Sequence, residues 1–235
     1  ASDVYKRQFY EQWPLPGFTR FFGDIKQTPT VEDLNRCLTR FATIAWRGHP
    51  DRQSLDRYLN LAISHLEQSG DFWHAAKLGM RAMLASPGFL YLVEPEEPGD
   101  GRKLDDYELA TRLSYFLWSS LPDDELLALA EKGTLSTPDV LSAQIDRMLN
   151  DPKAAAFSEN FSGQWLGLRQ LGEMPPDPAS NKAYYADNLE SAMREETRRL
   201  FDHLLQQNES VLKFVDADYT FVNEALARHY GLEGV

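Results

Sequence analysis

The densest chemistry-bearing stretch is Arg112–Trp118, RLSYFLW. Tyr115 and Trp118 lie three residues apart beside Arg112, so on a helix they share one side. An aromatic platform with a guanidinium suits a sugar, a quinone or a docking surface. The alternative is a core helix whose arginine is held by Glu108, one turn earlier and acid first, the favourable order for an intrahelical pair. Gln164 and Trp165 pose the same choice. There the Phe157, Phe161, Trp165 series favours core packing, because an aromatic series at helical spacing is usually buried. His49, ahead of Pro50 in the Trp46-Arg47-Gly48-His49 turn, is the remaining candidate, since binding residues concentrate in loops. The candidate binding residues are therefore Arg112, Tyr115, Trp118, Gln164, Trp165 and His49.

No catalytic set can be named. The sequence holds no Gly-x-Ser-x-Gly elbow and no glycine-rich phosphate loop after a strand. No metal site is expected. Asp71 with His74, and Glu196 with His203, reproduce neither a His-Glu-x-x-His helix nor paired Glu-x-x-His motifs. Asp216, Asp218 and Asn223 are oxygen-rich but lack the spacing of a calcium loop. Cys37 is the single cysteine, so neither an intrachain disulfide nor a Cys-x-x-Cys-His haem attachment can form. Leu34, Leu38 and Phe41 flank it at helical spacing, which predicts a buried structural thiol. No cofactor is expected on this stretch of chain.

The elements that must position these residues are helices. At 43% hydrophobic and 26% charged, the 235-residue chain is folded rather than disordered. Thr30, Asp51 and Asp71 are N-caps ahead of helical apolar periods, and Gly70 is a stop. Asp105 and Glu108 form a capping box. Thr137-Pro138 and Asp151-Pro152 each place proline at a first helical position. Phe89–Val93 alone could pass for a strand. These signals predict an all-α fold, two packed helical bundles in tandem, with no substantial sheet.

The polar stretch 94–101, EPEEPGDG, is the best internal boundary. It separates a small helical domain, 30–94, from a larger one, 102–232, that runs into the start of a truncated next domain. Residues 9–29 are rich in aromatics, proline and glycine without a period, and are expected to form an irregular aromatic strap. Ala1–Gln8, ASDVYKRQ, is the in-frame translation of what looks like the end of a transposase-based sequencing adapter, and is set aside as an artefact. The formal net charge of −12, without a basic run, makes nucleic acid an unsuitable partner. No apolar run is long enough to span a bilayer.

Five stretches together resemble a known family. They are FATIAWRGHPD (41–51), AMLASPGFLYLVE (82–94), LDDYELATRLSYFLWSSLPDDELL (104–127), FSENFSGQWLGLRQL (157–171) and DADYTFVNEALARHYGL (216–232). They are similar to the planctomycete-specific domains of unknown function of large multidomain proteins, which often also carry c-type cytochrome modules. The resemblance implies a fragment of an exported protein, periplasmic or at the cell surface, with haem c in a part that this chain lacks. The implied partners are other domains of the same polypeptide, with a redox partner or a polysaccharide beyond them. The leading reading is a helical scaffold or interaction module. The alternative is an enzyme domain, either an oxidoreductase coupled to the missing haem module or a hydrolase of extracellular polymer.

Overall fold

The computed structural model describes residues 16–23, 25, 28–48, 50–92 and 102–234. Ala1–Gln8, His49 and the 94–101 break lie outside them. Among the described residues every regular element is helical, and the Phe89–Val93 segment that could pass for a strand instead begins within a short helix, Pro87–Leu90. The chain forms two compact units. One comprises residues 1–111 and 121–136, the other 112–120 and 137–235.

The first unit is built on α2 (Val31–Ala45), α3 (Arg52–Ser69) and α4 (Phe72–Leu84), after a short α1 (Pro16–Phe22). Their boundaries are set by local chemistry. The Thr30 hydroxyl accepts from the Asp33 amide, and the Asp33 carboxylate accepts from the Thr30 amide. Asp51 and Asp71 accept from the amides of Ser54 and His74. Gly70, at φ 67°, ends α3 in the left-handed conformation that glycine adopts at least cost.

Between these helices lies a core of Leu34, Leu38, Phe41, Ala42, Ala45, Leu55, Ala62, Phe72, Ala75, Ala76 and Met83. Cys37 is buried there, its thiol against the Phe22 carbonyl, and burial raises its pKa. Leu78 and Ala82 of α4 match the apolar period but are only partly buried. The face that closes is Ala75, Ala76 and Gly79, because small residues let α4 approach α2 and α3.

Part of the stretch expected to be irregular is helical: Pro16–Phe22 is α1. Pro16 occupies a first-turn position that needs no N–H. Phe18 and Phe22, four residues apart, stack on each other and on Trp73. At the other end of the core, Arg47 is buried and donates to the carbonyls of Gly88, Phe89 and Tyr91, clamping the chain that leaves α5 (Pro87–Leu90).

Helix α6 (Asp106–Trp118) opens with the expected box. The Glu108 amide donates to Asp105, and the Asp105 amide to Glu108. Glu108 also receives a two-pronged hydrogen bond from Arg102 at 2.6 and 2.7 Å. Asp106 accepts from the amides of Leu135 and Ser136, fixing the chain after α7 (Asp124–Glu131).

The second unit contains α8 (Pro138–Leu149), α9 (Ala155–Trp165), α10 (Lys182–Ala186), α11 (Leu189–Gln206), α12 (Lys213–Asp216) and α13 (Glu224–Tyr230). Leu226 of α13 closes on Leu189 and Ala192. Leu226 is fully buried there, whereas Leu232, just beyond α13, is exposed. Tyr230 is half exposed, with its hydroxyl on Glu196. Burial and this bond push its pKa up to about 12.

Among the described glycines of the first unit, Gly79 has the closest neighbours. A Cβ there would lie 2.8 Å from Leu38 Cδ1 and 3.2 Å from Ala62 Cβ. Leu38 is itself fully buried and has little room to turn. Gly79→Val is expected to cost about 1–3 kcal/mol by overpacking, seen as a lower urea midpoint. An unchanged midpoint would show that α4 can move away without loss.

Candidate functional site

Helix α9, AAFSENFSGQW, inverts the usual amphipathic rule. Its buried residues are small: Ser158, Ser162 and Gly163. It packs on α11 and on the 3-10 turn Leu168–Gln170, and Phe157 and Phe161 also meet Phe201 of α11. The Ser162 hydroxyl bonds back to the Ser158 carbonyl, so the buried polar atom is satisfied inside the helix. The aromatic series is turned outward. Phe161 and Trp165 are exposed, Trp165 by 55%, contrary to the core packing that its spacing suggests.

Two rows run along this helix at four-residue steps: Phe157, Phe161 and Trp165, and beside them Asn160 and Gln164. Tyr115, Phe116 and Ser119 come from α6. Together these eight residues line an open cleft of about 580 Å³. Its rings form a connected series. Phe116 lies 4.9 Å from Phe157, Phe157 5.3 Å from Phe161, and Phe161 5.7 Å from Trp165. Phe201 of α11 and Phe214 of α12 support the series from behind, Phe214 edge-on to Trp165 at 5.2 Å. The Asn160 amide is fixed in turn. It donates to Ser119 Oγ at 3.0 Å and accepts from Arg169 at 2.8 Å.

Three candidate residues, Tyr115, Gln164 and Trp165, therefore meet in one cleft. Trp118 does not join them. It is 3% exposed, its indole N–H donates to the buried Met148 carbonyl, and Arg147 and Lys153 lie over its ring. Arg112 is exposed on α6 but does not line this cleft. Phe116, Ser119 and Asn160 escaped the sequence reading, and Phe157 and Phe161 were read as core. The pairing of Asn160 with Gln164 one turn on was the available signal.

A second cleft of about 510 Å³ lies between α9 and α11, lined in part by Asn160, Arg169, Arg194, Glu195 and Arg198. Hydrogen bonds from Arg198, and then from Arg199, hold the Glu195 carboxyl down at about 2. Arg198 also reaches Asp202, and Arg194 pairs with Glu190. In the first unit, a cleft lined by Trp46, Arg47, Tyr58, Tyr107 and Glu108 measures about 580 Å³. Arg47 is committed there to the three carbonyls of its clamp. His203 sits near Glu209 at 3.4 Å and forms a three-ring cluster with Tyr219 and Phe221. Among the described residues no group of three or more His, Cys, Asp or Glu is placed to hold a metal ion.

An all-helical chain with an aromatic cleft is the class that the fold and site define. A family model described as PSD4, a protein of unknown function (DUF1592), matches residues 104–232. A second, PSD5, a protein of unknown function (DUF1595), matches residues 33–94. The chain belongs to the PSD4 family, with a PSD5 segment before it, in agreement with the resemblance read from the sequence. No curated protein and no solved structure matches the chain.

Two outcomes test these placements. Trp118→Phe removes the donor to Met148 and should cost about 1–2 kcal/mol of stability while leaving the aromatic cleft open. Loss of cleft binding at full stability would place Trp118 in the site. Glu195, depressed in the folded state, contributes stability that is complete above the ordinary carboxylate pKa of 4.5 and is lost as pH falls toward about 2. The melting-temperature gap between the wild type and Glu195→Gln should therefore shrink across that window. A gap constant from pH 7 to pH 2 would contradict the assignment.

Proposed function

We propose that the chain is a binding module and that its working surface is the aromatic cleft of the second unit. The observation carrying this reading is the lining itself: exposed rings interleaved with amides. Among the described residues no carboxylate, imidazole, thiol, amine or guanidinium lines the cleft, and its one ionisable group is the Tyr115 phenol. Ser119 receives its hydrogen bond from an amide instead of facing a base. Flat apolar rings beside amides complement a polysaccharide, whose rings present C–H faces and hydroxyl edges. The family resemblance supports a setting in an exported bacterial protein with c-type cytochrome modules, periplasmic or at the cell surface. There the module would hold a polymer or a neighbouring domain while the chemistry happens elsewhere.

Calorimetric titration of the chain with dextran, polygalacturonate and dextran sulfate tests the reading. Saturable binding to at least one is expected. Trp165→Ala and Tyr115→Ala should weaken it about tenfold or more, the cost of truncating an aromatic anchor. Absence of binding to all three would sink the reading. Release of new reducing ends by the wild type, lost in the cleft variants, would replace it with the hydrolase alternative.

A further inference from the structure

The aromatic cleft and the cleft between α9 and α11 share Asn160, and the residue joining them to a cation is Arg169. Gly167, at φ 69°, turns the chain back after α9 into the 3-10 turn Leu168–Gln170. A left-handed residue there sends the Arg169 stem across α9. It passes over Gly163, where an added Cβ would lie 3.5 Å from Arg169 Cγ. The guanidinium then donates to Asn160 Oδ1 at 2.8 Å.

The other guanidiniums of the second cleft are matched by carboxylates, Arg194 by Glu190 and Arg198 by Glu195 and Asp202. Arg169 makes its hydrogen bond to a neutral amide, and its side chain is exposed. In a chain of net charge −12, Arg169 sets a cation beside the aromatic cleft, while Glu159 and Glu195 line the same second cleft.

We propose that the cleft takes an acidic polysaccharide. Sugar rings lie on Phe161 and Trp165, and an anionic substituent, carboxylate or sulfate, is received by Arg169 at the Asn160 junction. Asn160 acts as a positioning residue. It fixes the guanidinium through Oδ1 and is itself fixed by its bond to Ser119. Arg169 keeps N–H groups beyond the one given to Asn160, and its planar fork suits either oxyanion. The inference rests on the binding-module reading and adds the charge of the ligand to it.

The test uses calorimetry on the full chain with three probes: polygalacturonate for carboxylate, dextran sulfate for sulfate, and dextran as the neutral polymer. Arg169→Gln should weaken binding of an acidic probe about tenfold or more, as expected for a hydrogen bond to a charged group, and Arg169→Lys should restore part of it. Raising the salt concentration should weaken wild-type binding and have little effect on Arg169→Gln. Whichever acidic probe shows this dependence identifies the substituent. Equal binding of an acidic probe by the wild type and Arg169→Gln overturns the proposal. So does binding of dextran alone, sensitive to Trp165→Ala, although the binding-module reading then stands. Binding of no probe removes both.

Discussion

The slim packing face of α9 is the constraint on which the second unit's surface depends. A helix with large residues on all sides must choose which to bury, and the usual choice is the aromatic side. Here Ser158, Ser162 and Gly163 take the buried side. Close approach to α11 and the Leu168–Gln170 turn then needs no bulky interdigitation. The hydroxyl of Ser162 is satisfied by its own helix, so burial leaves no orphan donor. With that side committed, Phe161, Gln164 and Trp165 have nowhere to go but outward. Phe201 and Phe214 then act as backing for the exposed series.

Electrostatics arranges the same region. Along α11 the acids and arginines recur at three- and four-residue steps, giving Glu190–Arg194, Glu195–Arg198, Glu195–Arg199 and Arg198–Asp202. These pairs are partly exposed, and individually each contributes little to stability. Their larger consequence is to settle which cations are spoken for. Arg169, reaching in from the turn after α9, falls outside the ladder.

The first unit depends on ends more than on faces. Asp33, Asp51 and Asp71 each occupy a helix N-terminus, where a carboxylate accepts a backbone N–H that no helical carbonyl can reach. Asp105 and Glu108 repeat the device at α6. Arg47 serves the opposite purpose, supplying donors to two carbonyls within the short helix α5 and to Tyr91 just beyond it. Together these contacts stop helices where the sequence punctuates them and leave the apolar residues between to form one core.

Helix existence and helix ends were legible because they are local. A threonine or an aspartate before an apolar period, an Asp-x-x-Glu box and a glycine after a period act within a single turn, and the chain carries them in plain order. The family was legible for a related reason, since long stretches of side chains keep their order whatever surrounds them. The cleft was not legible. Periodicity states which residues share a side of a helix but not whether that side meets protein or water. For α9 the outcome turned on α11 taking the small face and, through Phe201, only one side of the aromatic series, which leaves Trp165 exposed. Trp118 and Trp165 show the limit most clearly. Both sit on apolar helical series, yet one is sealed against Met148 and the other stands 55% exposed. Only the packing of distant segments, each excluding water from its partner, could separate them.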